Sequence, residues 1–296
     1  TNGGHCQGLS AFGATLGVAP SPTVDDLPKN VLAAASSGIL PVGLVCCCPL
    51  MHGTGMWIGA MITHLAGGTA ITINRLGLDP HHLWSEVATH KASLLTIVGD
   101  AFARPLLNAL DEGRDKGSPY DITSVKTIIS SGVMWSKEVK QGLLRHHDMT
   151  LIDAMGSTEG GMGSSVTNKD ESVSTAKFKL NPEVKVFDDQ DRALVPGSGT
   201  IGMIATKSAM MGYYKDPEKT AKTVREIDGV RYVFPGDFAQ VEADGSITLL
   251  GRGSMCINTA GEKVFPEEVE EAIKRHPEVV DCLVVGVPDE RFGERV

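Results

Sequence analysis

Short apolar runs alternate with amphipathic segments through the first half of the chain. The apolar runs have the length of buried strands, and we predict strands at 39–50, 92–99, 125–132 and 150–156. The segments between them carry apolar residues at helical spacing, and we predict helices at 78–90, 101–113 and 136–147. Asp79 and Ser136 are predicted N-caps, Pro80 occupies a first helical position, and Gly113 is expected to end the second of these helices.

This alternation predicts an α/β fold in which helices flank a parallel sheet. Ligands of such sheets bind beyond the carboxyl ends of the strands. Two polar, glycine-containing stretches, SSGVMW (130–135) and MGSTEGG (155–161), follow predicted strands at that edge. We therefore expect a binding site there.

The pattern changes twice further along the chain. Residues 171–250 contain short strand-like runs joined by turn residues, including the hairpin sequence EADGS, and predict an antiparallel, barrel-like part. After Arg252, a predicted helix begins at Pro266, carries Val269, Ala272 and Ile273 on one face, and precedes another strand. We predict a large domain over 1–252, with its α/β part at about 1–170, and the beginning of a small α+β domain over 253–296.

Composition narrows the classes of protein that fit. With 42% hydrophobic and 21% charged residues, the chain suits a packed globule. Its net charge of -9 argues against nucleic-acid binding, and no apolar run reaches the length of a membrane span. The six cysteines include no C-x-x-C pair, which favours reduced thiols and a cytoplasmic location. A metal site at Cys48 and His52 is the alternative.

Three polar groups could carry chemistry. In GSTEGG, the Thr158 hydroxyl can bind a phosphate oxygen, and Glu159 can bind Mg²⁺ together with substrate phosphates. Asp237, in FPGDF, can accept hydrogen bonds from a ribose diol. Arg252 can bind a sugar hydroxyl or a phosphate. Each of these residues could equally be a solvated residue in a turn.

The order of these motifs is informative. SSGVMW, DAMGSTEGG, YYKDPEKTAKT, YVFPGDFAQVEADGSITLLGRG and GEKVFPEEVEEAI follow one another along the chain. In this order they resemble the adenylate-forming superfamily, which includes acyl-CoA synthetases, luciferases and peptide-synthetase adenylation domains. The sequence of the last motif is similar to that of acyl-CoA synthetases of actinobacterial type.

The resemblance implies roles for individual residues. It implies that Thr158 and Glu159 act on phosphate and metal and that His52 gates the acyl and thiol channel. The implied nucleotide-binding residues are Gly132, Val133, Asp153, Ala154, Met155, Gly156, Thr158, Asp237 and Arg252. The implied channel residues are His52, Gly55, Met56, Gly160 and Gly261, and the implied hinge is Ser254.

Some positions depart from the family pattern. Met155 stands where the family usually has an aromatic ring on adenine, so thioether packing would replace stacking. Ser254 stands where an aspartate or lysine is usual. The resemblance also implies a phosphate loop before residue 1 and a catalytic lysine after residue 296, so this chain alone is expected to be inactive.

The resulting hypothesis is an acid–CoA ligase that uses ATP, Mg²⁺ and coenzyme A, takes a hydrophobic acid and allows a homodimer. An adenylation domain that serves a carrier protein and a non-catalytic nucleotide-binding fragment remain open. A serine hydrolase based on the S-x-x-K match Ser174–Lys177 is a third alternative, although no S-D-N, K-T-G or G-x-S-x-G motif accompanies it.

Overall fold

The computed structural model describes part of the chain. The described residues are 19, 21, 23–45, 48–75, 77–169, 175–208, 210–259, 262–276, 278–279, 281–289, 291 and 293–296. Of the residues discussed above, Cys46, Cys47, Ser174 and Gly261 lie outside them. The chain divides into two compact units, one of Thr1–Met155 with Ser165–Thr175 and the other of Gly156–Ser164 with Ala176–Val296.

A parallel sheet forms the centre of the first unit. Its strands are β1 (Val42–Leu44), β2 (Thr69–Ile71), β3 (Leu94–Ile97), β4 (Thr127–Ser131) and β5 (Thr150–Ser157), the last of which ends in the second unit. They are ordered β5-β4-β3-β1-β2, and each neighbouring pair is parallel. The predicted α/β fold with a parallel sheet is therefore confirmed.

Helices connect these strands. They are α1 (Leu27–Ser36), a π-helix (Thr54–Met61), α2 (Ile62–Leu65), α3 (Pro80–His90), α4 (Gly99–Asp115) and α5 (Lys137–His146), with a short 3₁₀ turn at Val24–Asp26. Helices α3, α4 and α5 pack on the sheet through a buried apolar core that includes Trp84, Leu106 and Leu143. The indole of Trp84 donates a hydrogen bond to the carbonyl of Leu106, which ties α3 to α4.

The helix ends test the predicted caps. The Asp79 carboxylate accepts a hydrogen bond from the amide of His82, as an N-cap should. Ser136 has the extended backbone of an N-cap, but its hydroxyl makes no capping bond. Gly113 does not end α4: the helix starts at Gly99, runs to Asp115, and is followed by Gly117 with a φ of 70°. Gly113 is instead buried inside the helix, where Tyr120 packs against it.

Antiparallel strands make up the larger part of the second unit. They are β6 (Gly160–Thr167), β7 (Lys177–Leu180), β8 (Val184–Phe187), β9 (Ile201–Lys207), β10 (Val224–Ile227), β11 (Val230–Val233), β12 (Asp237–Val241) and β13 (Ile247–Arg252). The sheet order is β10-β11-β9-β12-β13-β7-β6, and β8 pairs with β9. The hairpin predicted at EADGS joins β12 and β13 and is confirmed. The only helix described among these strands is the short α6 (Pro217–Thr223).

The last part of the chain forms a small sheet. Its strands are β14 (Ile257–Thr259), β15 (Glu262–Val264), β16 (Val287–Asp289) and β17 (Gly293–Arg295), with α7 (Pro266–Ile273) between β15 and β16 and a 3₁₀ turn at Gly253–Met255. The strand predicted to follow α7 is present as β16, and residues 281–286 before it are irregular. There the amide of Val284 donates to the Glu270 carboxylate of α7 instead of to a neighbouring strand. On the predicted apolar face of α7, Ile273 is 40% exposed.

Among the described residues, every helix is too short or too polar to cross a bilayer.

The two N-caps give a matched test of local stability. We expect Asp79→Ala to lower the melting temperature by roughly 2–4 °C, because the amide of His82 loses its acceptor. Ser136→Ala should not lower it, since the Ser136 hydroxyl is buried without a hydrogen-bond partner among the described residues. Calorimetric melting of the two variants checks this, and equal effects would show that the capping bond is not what stabilises α3.

Candidate active site

The carboxyl edge of the parallel sheet brings several predicted residues together. In the register of β4 and β5, Ser130 is paired with Asp153 and Ser131 with Ala154. Gly132 follows directly, with a φ of 99°, and a Cβ on it would lie 3.6 Å from Cε1 of His52. His52, Gly132 and Asp153 therefore share this edge of the first unit, as expected from the ends of the strands.

His52 is exposed and held by its neighbours. Its Nδ1 accepts a hydrogen bond from the amide of Thr54, 3.2 Å away, at the start of the π-helix. The Thr54 hydroxyl is buried and lies 3.5 Å from the carbonyl of Ser131. The ring therefore has its Nδ1 occupied within the chain. Nε2 is the nitrogen left to meet a ligand.

The metal site considered at Cys48 and His52 is not supported. Cys48 is buried, and its Sγ donates to the carbonyl of Thr96 at 3.2 Å. Within the described ranges, no group of three or more His, Cys, Asp or Glu side chains is arranged to hold an ion. A metal bound by the described residues would therefore need further ligands from outside them, such as substrate or water.

Asp153 is part of a buried ion pair that sequence reasoning missed. Its Oδ2 lies 3.2 Å from Nζ of Lys140 on α5, and the two side chains are only 5% and 2% exposed. Burial raises the pKa of Asp153 to about 6, while the Lys140 ammonium opposes the shift. Asp153 is thus an anion at neutral pH and is already bound to one cation inside the protein.

The Lys140 side chain is enclosed on a second side. Its Nζ lies 5.4 Å from the centre of the Trp135 ring, which belongs to the SSGVMW motif. This cation–π contact places Trp135, Lys140 and Asp153 in one cluster beneath the carboxyl edge. The amphipathic pattern of α5 by itself does not single out Lys140 as buried. The sequence signal that could have found it is the KEVKQ spacing, which puts Lys140 beside the buried Val139 and Leu143.

Glu159, in the second unit, is held by an unpredicted tyrosine. The hydroxyl of Tyr213 donates a short hydrogen bond to Oε1 of Glu159. Burial disfavours the charged form of Glu159, but hydrogen bonds from Tyr213 and Ser157 outweigh burial and the pKa of Glu159 is lowered. Glu159 is therefore a fixed carboxylate. Thr158, its neighbour, is exposed.

Asp237 and Arg252 face each other across the hairpin of β12 and β13. Nε of Arg252 lies 3.3 Å from Oδ1 of Asp237, and the two residues are paired in the register. Oδ2 of Asp237 is buried and has no hydrogen-bond partner among the described residues. Burial raises the pKa of Asp237, Arg252 opposes this, and the charge of Glu159 raises it further. The Arg252 side chain is 57% exposed, so it can also contact a ligand.

The remaining predicted residues occupy varied environments. The exposed ones are Val133, Met56, Gly156 and Thr158. The buried ones are Met155 and Gly55, and the half-buried ones are Ala154 and Gly160. Ser254 lies in the 3₁₀ turn at Gly253–Met255, between β13 and β14. The roles assigned to these residues stay predictions.

Comparison with known proteins assigns the chain to a family. The model of the AMP-binding enzymes matches residues 29–214, and that of the AMP-binding enzyme C-terminal domain matches 268–296. The chain belongs to the AMP-binding enzyme family. The resemblance to adenylate-forming enzymes is therefore confirmed.

The relatives to which this AMP-binding protein is similar include CoA ligases of actinobacteria. It is 44% identical over 253 residues to a 3-oxocholest-4-en-26-oate–CoA ligase of Rhodococcus rhodochrous, covering 84% of this chain and 45% of the relative. It is 40% identical to a medium/long-chain-fatty-acid–CoA/3-oxocholest-4-en-26-oate–CoA ligase of Mycolicibacterium smegmatis, covering 96% and 51%. The chain thus spans about half the length of the curated relatives it matches.

A solved structure supports the same fold. ATP-bound MatB from Rhodopseudomonas palustris superposes with a TM-score of 0.69 at 25% identity, covering 91% of this chain and 52% of that one. The hydrolase alternative loses its basis, because the family is that of AMP-binding enzymes. In addition, Lys177 of the S-x-x-K match is bound to Asp244 at 2.9 Å.

The buried ion pair of this AMP-binding protein gives a pH-dependent prediction. Lys140→Met should lower the free energy of unfolding by about 3–5 kcal/mol at pH 8, because the buried Asp153 anion loses its cation. An aspartate whose folded pKa is raised contributes stability to the fold that is fully present below its unfolded pKa. That contribution is lost as the pH rises through its folded pKa. The deficit of the variant should therefore shrink at pH 5.

Urea unfolding at the two pH values measures the effect. Lys137→Met is the matched control, since Lys137 is an exposed lysine on the same helix. If the two variants lose the same stability at pH 8, or if the Lys140→Met deficit does not change with pH, the buried pair is not a stabilising contact.

Proposed function

We propose that the whole protein joins a hydrophobic carboxylic acid to coenzyme A by way of an acyl-adenylate. In the first step, a carboxylate oxygen attacks the α-phosphorus of ATP and pyrophosphate leaves. In the second, the sulfur of CoA attacks the acyl carbon, the bond to AMP breaks, and the thiol proton passes to solvent. The family assignment and the names of the actinobacterial relatives support this reaction.

The observation that carries the proposal lies in the second unit. Glu159 lies close enough to Asp237 for its charge to raise the pKa of Asp237, although the two residues are 78 positions apart in the sequence. A nucleotide carries a ribose diol and charged phosphates in one molecule. One such ligand can therefore bind both carboxylates. Asp237 would accept hydrogen bonds from the ribose hydroxyls, and Glu159 would meet the phosphates through a cation.

Asp237 has the chemistry of a ribose-binding residue. Its Oδ2 is a buried acceptor without a partner among the described residues, and such an oxygen costs free energy until a donor reaches it. A ribose hydroxyl would supply that donor. Arg252 holds the other oxygen of Asp237 and would fix the direction in which the carboxylate accepts.

Glu159 fits a magnesium ion that is shared with ATP. Mg²⁺ prefers one or two carboxylates together with phosphate oxygens and water, and the described residues offer no larger ligand group. When bound, Mg²⁺ neutralises phosphate charge. Thr158 would donate its exposed hydroxyl to a phosphate oxygen, and the hydrogen bond from Tyr213 keeps Glu159 ionised and fixed.

We assign the acyl and thiol side of the reaction to the edge where His52 lies beside Gly132. Met56 and Trp57 expose apolar surface on the adjoining π-helix, which suits an apolar acid such as a fatty, aromatic or sterol side-chain acid. The proposed channel residues are Gly55, Gly160 and Gly261. Ser254 is the proposed hinge about which the small domain rotates between the two steps. Measuring AMP release with each of these acids, in the presence of ATP and CoA, would identify the class.

Two further proposals concern the state of the protein. We propose a cytoplasmic location, which the lack of a C-x-x-C pair in the sequence favours. A homodimer stays a prediction that light scattering would test.

Exchange of labelled pyrophosphate into ATP tests the first step. We expect acid-dependent exchange by the whole protein, and a fall of roughly 10- to 100-fold in Asp237→Ala, because the ribose loses a charged acceptor. Asp244→Ala, at an exposed aspartate in the same hairpin, should exchange like the wild type. Asp237→Asn serves as a milder variant in case the alanine variant unfolds.

The alternatives give different results. A carrier-protein adenylation domain would show exchange but no formation of acyl-CoA. A non-catalytic protein would bind ATP without exchange for any acid. Exchange at the wild-type rate in both Asp237 variants would contradict the ribose-binding role.

A further inference from the structure

The motif GYYKDPEKT (212–220) forms a compact local structure around Tyr213. Asp216 caps α6 by accepting from the amide of Lys219 at 2.9 Å. The hydroxyl of Thr220 accepts from the amide of Tyr213 at 2.9 Å and donates to the carbonyl of Asp216 at 2.8 Å. The backbone of Tyr213 is thus bound to the first turns of the helix.

The ring of Tyr213 is also held in place. The ammonium of Lys219 lies 4.2 Å from the centre of the ring. Gly212 has a φ of 146°, and a Cβ there would lie 2.8 Å from Cγ2 of Thr220, so only glycine allows the chain to approach the helix this closely. The carbonyl of Met211, one residue earlier, accepts from Arg231 at 2.7 Å. The segment that carries Tyr213 is therefore fixed on both sides.

The result of this arrangement is a contact with Glu159. The Tyr213 hydroxyl donates to Oε1 of a glutamate that precedes it by 54 residues. The next residue, Tyr214, has no such role: it is 88% exposed, and the contact described for its ring is with the adjacent Lys215. Two consecutive tyrosines thus have different environments, and only the first reaches the proposed metal ligand.

We propose that Tyr213 is a positioning residue for Glu159 and that GYYKDPEKT is built to hold it. The hydrogen bond restricts the rotation of the carboxylate, so Glu159 meets the cation of the ATP complex without first being ordered. The inference rests on the proposed function, since it takes Glu159 to meet that cation. It adds a residue whose effect is confined to binding that depends on Mg²⁺.

The experiment compares Tyr213→Phe with Tyr214→Phe in the whole protein. Calorimetry measures ATP affinity in the presence of Mg²⁺ and again in EDTA. We expect Tyr213→Phe to weaken ATP binding roughly 10-fold with Mg²⁺, the size of a lost hydrogen bond to a charged group, and to leave binding in EDTA unchanged. Tyr214→Phe should match the wild type under both conditions.

A second comparison separates positioning from a general structural role. In a Glu159→Gln background, Tyr213→Phe should have little further effect on Mg²⁺-dependent binding, because both changes act on the same contact. Thr220→Val keeps both rings and removes the hydroxyl that holds the amide of Tyr213. It should give a smaller loss of the same kind, and it tests the inference if Tyr213→Phe does not fold.

Three results would overturn the inference: equal losses with Mg²⁺ and in EDTA, full additivity with Glu159→Gln, or wild-type affinity in both Tyr213→Phe and Thr220→Val. A wild-type protein whose ATP binding does not respond to Mg²⁺ or to Glu159→Gln would instead refute the proposed function, and the inference with it. The two failures are thus distinguishable.

Discussion

The parallel sheet of the first unit imposes the constraint on which the candidate site depends. Strands β3 and β4 are buried along their full length, so their backbone polar groups must pair within the sheet. Side chains that carry charge cannot lie on these strands without a partner. Of the predicted site residues, His52, Gly132 and Asp153 lie at the carboxyl edge, where the connections leave the sheet, and Asp153 is paired with Lys140.

Three carboxylates illustrate how local surroundings decide the chemistry of a site. Asp153 and Asp237 are both buried beside one cation, and in both burial outweighs that cation and raises the pKa. Glu159 is less enclosed, and its hydrogen bonds lower its pKa. Hydrogen-bond donors thus favour the charged form of Glu159, whereas the drier surroundings of Asp153 and Asp237 favour their neutral forms.

Much of the fold could be predicted from the sequence, since alternating apolar strands and amphipathic helices are local patterns. The Asp79 cap and the β12–β13 hairpin follow from a few adjacent residues. The end of α4 could not be predicted at Gly113, because packing against Tyr120 overrides the weak helix propensity of a glycine. Lys140 and Tyr213 were missed for a related reason. Their partners lie 13 and 54 residues away, so the adjacent residues do not identify the partner in either contact.

The π-helix at Thr54–Met61 makes the surface beside His52 sensitive to chain length. Gly59 lies on its inner side, where a Cβ would come 2.4 Å from Val45, while Trp57 is 52% exposed on the outer side. The hydrogen bonds of a π-helix join residues five positions apart, one position more than in an α-helix. Deleting a single residue here would move each following residue of the helix into the preceding position, about 100° around the axis. The apolar lining next to the histidine could thus be exchanged for another by a change in length alone, with no substitution.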